Sequence, residues 1–256
     1  MILRRVIGHF RKQEWTAIAL DFLIVVFGVY IGLQVQEWGQ AQVDRKRELQ
    51  IVADMLADLE IDRREYENGM ELALRRVRAA NASLIDAGQA PIEFEWEMPK
   101  AGGVDYSFDP ESASGNAPAE QELLWTEIIL GFFPTPSTST YDAMVGAGDI
   151  KIIQDRALVR AIQVYRNRVG SVITQTEKQL SIRADSLSTG AAYGLAPYAK
   201  MPAADYFSLV ASEPELAAVI RILGTFAIFH HGEMKSADSL AAELQARLAS
   251  YLAEAR

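Results

Sequence analysis

A chain of 256 residues with no cysteine and a net charge of −9 excludes several classes of protein at once. Disulfide scaffolds, thiolate metal centres and cysteine nucleophiles all need a thiol. A nucleic-acid surface needs a basic stripe, which this acidic chain does not offer.

The N-terminal region sets location. Residues 16–35, TAIALDFLIVVFGVYIGLQV, carry one charge, Asp21, and follow Arg4, Arg5, Arg11 and Lys12. Twenty helical residues at about 1.5 Å each match the hydrocarbon thickness of a bilayer. Trp15 and Trp38 bracket the run as membrane-interface anchors, where amphipathic indoles sit well. The apolar run is long for a signal peptide, and no small-residue cleavage site follows Val35. The expectation is a retained single-pass anchor in the bilayer. Four basic residues precede it and none follows until Arg45, which directs the N-terminus to the cytoplasm and the rest to the periplasm of a bacterial inner membrane.

Within the anchor, Gly28 and Gly32 form a G-x-x-x-G pair, and helical spacing puts Asp21, Gly28, Gly32 and Gly39 on one stripe. Intramembrane acids are costly and face protein more often than lipid. The stripe is therefore a candidate helix interface, with a homo-oligomer or another membrane protein as partner. The competing reading lets Asp21 reach the headgroups and leaves the glycines incidental. The run of Asp21, Gly28 and Leu33-Gln34-Val35-Gln36-Glu37-Trp38, followed by a charged helix, resembles a family of uncharacterised single-pass bacterial membrane proteins. Members of that family carry a basic stretch, an acidic residue, an anchor of the type LVVIGILIALQINNWNE and then a charged helix. Here Gly39 and Gln40 stand where Asn and Glu are usual, and Gly32 where Ala is usual. A second match runs from Thr140-Tyr141 through Gly148 to Tyr165. The resemblance implies a domain of unknown function and no catalytic residues.

Beyond the anchor, positions 49, 52, 56, 59, 63, 66, 70, 73, 77, 80 and 84 are apolar except for Arg63. This heptad seam predicts a long helix over 38–87, ended by Gly88 and Pro91. It fits a parallel coiled-coil stalk or an amphipathic helix packing on later helices of its own chain, and the need of those helices for a partner favours the second. The segment 86–122 then holds nine acids against Lys100, almost all of the net charge. In 91–109, Ile92, Phe94, Trp96 and Met98 alternate with acids, and Val104, Tyr106 and Phe108 with polar residues, which predicts a small β-hairpin turning at 99–103.

The remainder reads as helix. A short apolar helix is expected over 121–133, stopped by Pro134, and another over 141–145, stopped by Gly146 and Gly148. Asp155 starts a long helix reaching about residue 187. A loop is predicted over 193–206, and Ser212 caps a last helix from Glu213, with a break expected near Gly232. The apolar stretch before His230 is too short for a second span and contains Arg221, so it reads as a core helix. The fold class is thus mainly α: a transmembrane helix continuing into a long amphipathic helix, a helical bundle and one β-hairpin. The divisions are 1–15, cytoplasmic; 16–37, transmembrane; 38–87, juxtamembrane helix; 88–120, acidic hairpin and loop; and 121–256, bundle.

Reactive patterns are sparse. His230 and Glu233 are spaced to share a helix face, but no second ligand cluster completes a metal site. Asp105, Asp109 and Glu111 lack the spacing of a calcium loop. Glu95 and Glu97 would share a strand face without a visible cleft, and Gly146-Ala147-Gly148-Asp149 lacks the lysine of a phosphate loop. No catalytic residue, cofactor or metal is implied. The expected role is a scaffold, assembly or accessory factor acting through protein contacts. The alternative is a periplasmic ligand-binding or sensory bundle, which would need a signalling partner because only about fifteen residues lie inside. A hydrolase or metal enzyme ranks last.

Overall fold

The computed structural model describes residues 15–93 and 120–255. Six α-helices account for most of them, with no strand among the described residues: α1 (Trp15–Asp86), α2 (Leu124–Ile129), α3 (Ser139–Ala147), α4 (Arg156–Ala192), α5 (Ala203–Ser212) and α6 (Pro214–Glu254). Two 3₁₀ turns, Gln121–Leu123 and Asp149–Lys151, join them. The mainly α class is as expected. The hairpin over 91–109 falls almost wholly in 94–119, outside the described residues.

The chain divides into two compact units, Met1–Gln50 and Ile51–Arg256. The described part of the first is the N-terminal stretch of α1, with its apolar side chains exposed from Leu20 to Val35. One helix near the N-terminus is long and apolar enough to cross a membrane by length and composition.

The second unit is a helical bundle around two large apolar clusters and a small third one of Val77, Ala227 and Ile228. The first joins Val52, Leu59 and Tyr66 of α1 to Leu158, Ile162 and Val169 of α4 and to Met234, Leu244 and Leu248 of α6. The other gathers Ala80 and Leu84 of α1, Trp125 and Ile128 of α2, Tyr206 and Val210 of α5, and Ile220 of α6. A fully buried Leu, Ile or Val contributes about 1.5–3 kcal/mol, so these layers set the bundle's stability. The long helix packs on later helices of its own chain, as the amphipathic reading expected.

Its buried face is broader than the sequence seam. Val52, Leu59, Tyr66, Ala73 and Ala80 are buried as predicted. Of the alternate seam positions, Val77 and Leu84 are buried as predicted and Leu56, Arg63 and Met70 are half-buried, while Met55, Asp62, Gly69, Arg76 and Ser83, one residue N-terminal of them, are buried as well. The face widens toward Asp62, Arg76 and Ser83 because each finds a hydrogen-bond partner in the bundle. Arg63, the break in the predicted seam, sits beside this face. It donates from Nε to Asp238 Oδ1 at 2.8 Å and from Nη1 to Gln245 Oε1 at 3.0 Å on α6.

The caps explain the element ends. After α1, Gly88 takes φ +74°, and the Gln89 amide donates to the Leu84 carbonyl at 2.8 Å, closing the helix with a left-handed residue that glycine adopts without strain. Asp155 caps α4 by accepting from the Ala157 amide at 2.7 Å and the Leu158 amide at 3.1 Å. Gly190 is required by packing: a Cβ there would collide with the Trp125 indole.

Three local expectations change. The helix expected over 121–133 shortens to α2, because Leu130 turns extended while its amide still donates to the Thr126 carbonyl. The loop expected over 193–206 ends early, since α5 starts at Ala203 after Pro202, and Ser212 closes α5 while Pro214 opens α6. α6 runs through Gly232 without a break because His230, Glu233 and Met234 on that turn are buried in the bundle.

Candidate functional site

The anchor stripe is the first candidate. Gly28, Gly32 and Gly39 lie on α1, and among the described residues a Cβ added to any of them would meet nothing within 4 Å. Phe22, Val25, Val29, Tyr30 and Val35 around them are exposed, and Trp38 is 67% exposed. Asp21 and Trp15 belong to the same helix, though their side chains lie outside the described residues. At 100° per residue, positions 21, 28, 32 and 39 fall on one stripe. The surface is apolar, and its glycines let a second helix approach closely.

The bundle holds a different kind of chemistry. Asp62, 1% exposed, is the centre of a hydrogen-bond chain. Its Oδ2 accepts from the Tyr165 hydroxyl at 2.6 Å and its Oδ1 from the Ser137 amide at 2.7 Å. The Tyr66 hydroxyl lies 3.3 Å from that of Tyr165 and, with the Tyr165 proton committed to Asp62, serves as donor. Burial raises the Asp62 carboxyl pKa, opposed by the Tyr165 and Ser137 bonds and assisted by nearby Asp58 and Glu65. Both tyrosines are raised as well, chiefly by burial. A space of about 30 Å³ adjoins the carboxylate between Asp58, Ser137, Tyr141 and Arg166, room for one water. The network ties α1, the 130–138 segment and α4 together at one level. Its chemistry is positional: both carboxylate oxygens are engaged by donors within the chain.

A second buried polar group surrounds the adjacent histidines. His230 stacks on Phe133 with ring centroids 5.1 Å apart, and burial, Arg76 and His231 push its pKa down to about 3. Glu233, the residue expected to share its face, accepts from Arg168 Nη1 at 3.2 Å in a buried ion pair. Among the described residues no group of three or more metal-ligating side chains forms. Arg76 donates from Nε to the Ile128 carbonyl at 3.0 Å, engaging a carbonyl that the end of α2 leaves open. Burial lowers the Arg76 pKa to about 10, with Arg183 adding to it. Ser83 completes the polar column: its Oγ donates to the Ala79 carbonyl at 2.7 Å and accepts from Tyr206 at 3.2 Å.

Sequence reasoning selected the stripe and missed Asp62, Arg76, Tyr165 and Arg168. Their signal was available in part, because Asp62, Gly69, Arg76 and Ser83 recur every seven residues along α1. Gly146, Ala147 and Gly148 close α3, with Gly148 at φ +74°, a helix end rather than a phosphate cradle. Asp105, Asp109 and Glu111, with Glu95 and Glu97, lie outside the described residues.

No family model matches the chain, and no curated protein or solved structure is significantly similar to it.

Proposed function

We propose that this protein is a single-pass membrane protein that acts through protein contacts, as a scaffold, assembly or accessory factor of the bacterial inner membrane. The observation that carries the reading is the contrast within α1. From Leu20 to Val35 its large apolar side chains are exposed, whereas from Val52 onward the chain builds its own core. In water so long an apolar surface would be an aggregation hazard; in lipid it is at rest. The stripe of Asp21, Gly28, Gly32 and Gly39 supplies the contact, pairing with a second copy or with another membrane helix. The basic residues before the anchor orient it, with the bundle in the periplasm. The resemblance of its anchor to that of single-pass bacterial membrane proteins supports the same assignment.

The absence of native cysteine makes the test direct. A cysteine introduced at Gln40 should react with a membrane-impermeant maleimide in cells with a permeabilised outer membrane, and one at Arg5 only after lysis. Labelling at Arg5 first would reverse the orientation. Recovery of the chain in the soluble fraction after alkaline extraction would remove the anchor. Photo-crosslinking from Gly28 should capture one defined helix partner, and capture of lipid alone would remove the contact role.

A further inference from the structure

Between the first turns of α4 and the last third of α6 the bundle opens into a groove of about 530 Å³, within the range of small-molecule sites. The cause is local. α4 presents Ala157 and Ala161, one turn apart, to Leu240 and Leu244 of α6, and the short side chains leave space where larger ones would close the gap. The floor is therefore apolar, extended by the exposed Val164. The rim is basic: Arg156 and Arg160 stand one turn apart on α4, and Arg247 faces them from α6. Among the described lining residues Glu243 is the one acid, and it is engaged by Arg247 at 2.7 Å. Arg156 and Arg160 have no carboxylate partner among the described residues. Asp155, their neighbour in the chain, spends Oδ1 on the cap of α4. At the inner end stands Tyr165, its hydroxyl proton committed to Asp62.

We propose that this groove binds a small soluble amphiphilic acid, a carboxylate or phosphate monoester on an apolar body. The head sits between Arg156 and Arg160, whose planar forks match the oxygens of either group. The body lies over Ala157, Ala161 and Leu244. An inorganic anion alone would leave the apolar floor in water, and a neutral apolar molecule would leave both guanidinium groups without a counter-charge. This goes beyond the contact role and depends neither on the membrane nor on pairing of the anchor.

The test uses the full chain in phosphatidylcholine nanodiscs, titrated calorimetrically with phenyl phosphate, inorganic phosphate and phenol. Phenyl phosphate should bind at least about tenfold more tightly than either of the others. The double variant Arg156→Gln/Arg160→Gln should weaken it by about tenfold or more. Ala157→Leu, which keeps every charge and fills the floor, should do the same, and both variants should keep the wild-type thermal transition. Equal affinity across wild type and variants would overturn the site, as would inorganic phosphate binding as tightly as phenyl phosphate. Replacing part of the lipid with phosphatidic acid, itself a phosphate monoester, should leave the affinity unchanged. A competitive loss would overturn the soluble source and assign the groove to a lipid headgroup.

Discussion

The two ends of α1 solve opposite problems with one backbone geometry. From Leu20 to Val35 the helix turns apolar side chains outward and leaves its glycines uncovered. From Val52 to Leu84 it turns Asp62, Arg76 and Ser83 inward among apolar neighbours. Hydropathy alone would assign these surfaces the other way round. The difference teaches that burial follows the supply of partners. Among the described residues the first region has no covering helix within its own unit, and its apolar side chains stay exposed. In the second, Tyr165, Ser137, Ile128 and Tyr206 supply a bond for each buried polar group.

The strongest way to break that contrast is to remove the centre of the buried network. Asp62→Ala should destabilise the bundle by about 3 kcal/mol, because it strands the Ser137 amide and the Tyr165 hydroxyl in the interior. Chemical denaturation of the full chain in detergent, followed by far-ultraviolet circular dichroism, reads this. A loss below about 1 kcal/mol would mean that water replaces the carboxylate.

The histidine sharpens the same point through pH. The His230 pKa is depressed in the folded state to about 3, from an ordinary 6.5, so the folded bundle holds the neutral ring. Its contribution is present in full above about pH 6.5 and is lost progressively as pH falls toward 3, at up to about 1.4 kcal/mol per pH unit. Asp62 works in the opposite sense: its raised pKa favours the protonated carboxyl, so its contribution is greatest at low pH and is lost as pH rises through the folded pKa. His230→Phe should flatten the acid limb of the stability curve between pH 6 and 4. An unchanged limb would place the acid sensitivity elsewhere.

Smaller effects probe packing. Gly190→Ala sets a methyl group against the Trp125 indole and should cost about 2 kcal/mol, with a shift in tryptophan fluorescence. Arg76→Met removes a buried guanidinium held by a single carbonyl and should change stability by less than about 1 kcal/mol. The least effect on the bundle belongs to Gly28→Ile/Gly32→Ile. Stability should stay within about 0.5 kcal/mol of wild type, since nothing among the described residues lies within 4 Å of a Cβ at either position, while association in a membrane two-hybrid assay falls several-fold. Unchanged association would end the pairing role of the stripe.

Much of the architecture was legible because it rests on local rules. A twenty-residue apolar run, Asp155 before an apolar-periodic segment and Gly88 after one each carry their reason within a few residues. α5 as a separate helix was not legible. Ala203 follows two prolines in a stretch that reads as loop, and the helix gains its stability from Tyr206 and Val210 in the second cluster. The groove over Ala157 and Ala161 was equally hidden, since alanine reads as a good helix former and the space arises only when α6 lies opposite.

What the sequence by itself determined is the apolar span and the helices other than α5, because hydrogen bonding within a helix and the length of an apolar run are properties of neighbouring residues. Only the tertiary structure decided that a polar column of α1, with Asp62, Arg76 and Ser83, turns inward beside the apolar one. Hydropathy points to Val77 and Leu84 and gives no reason to bury Arg76 and Ser83, one 100° step away. The choice fell to residues far along the chain. Tyr165 stands 103 positions from Asp62 and Tyr206 stands 123 from Ser83, and their hydroxyls make burial of that polar column possible.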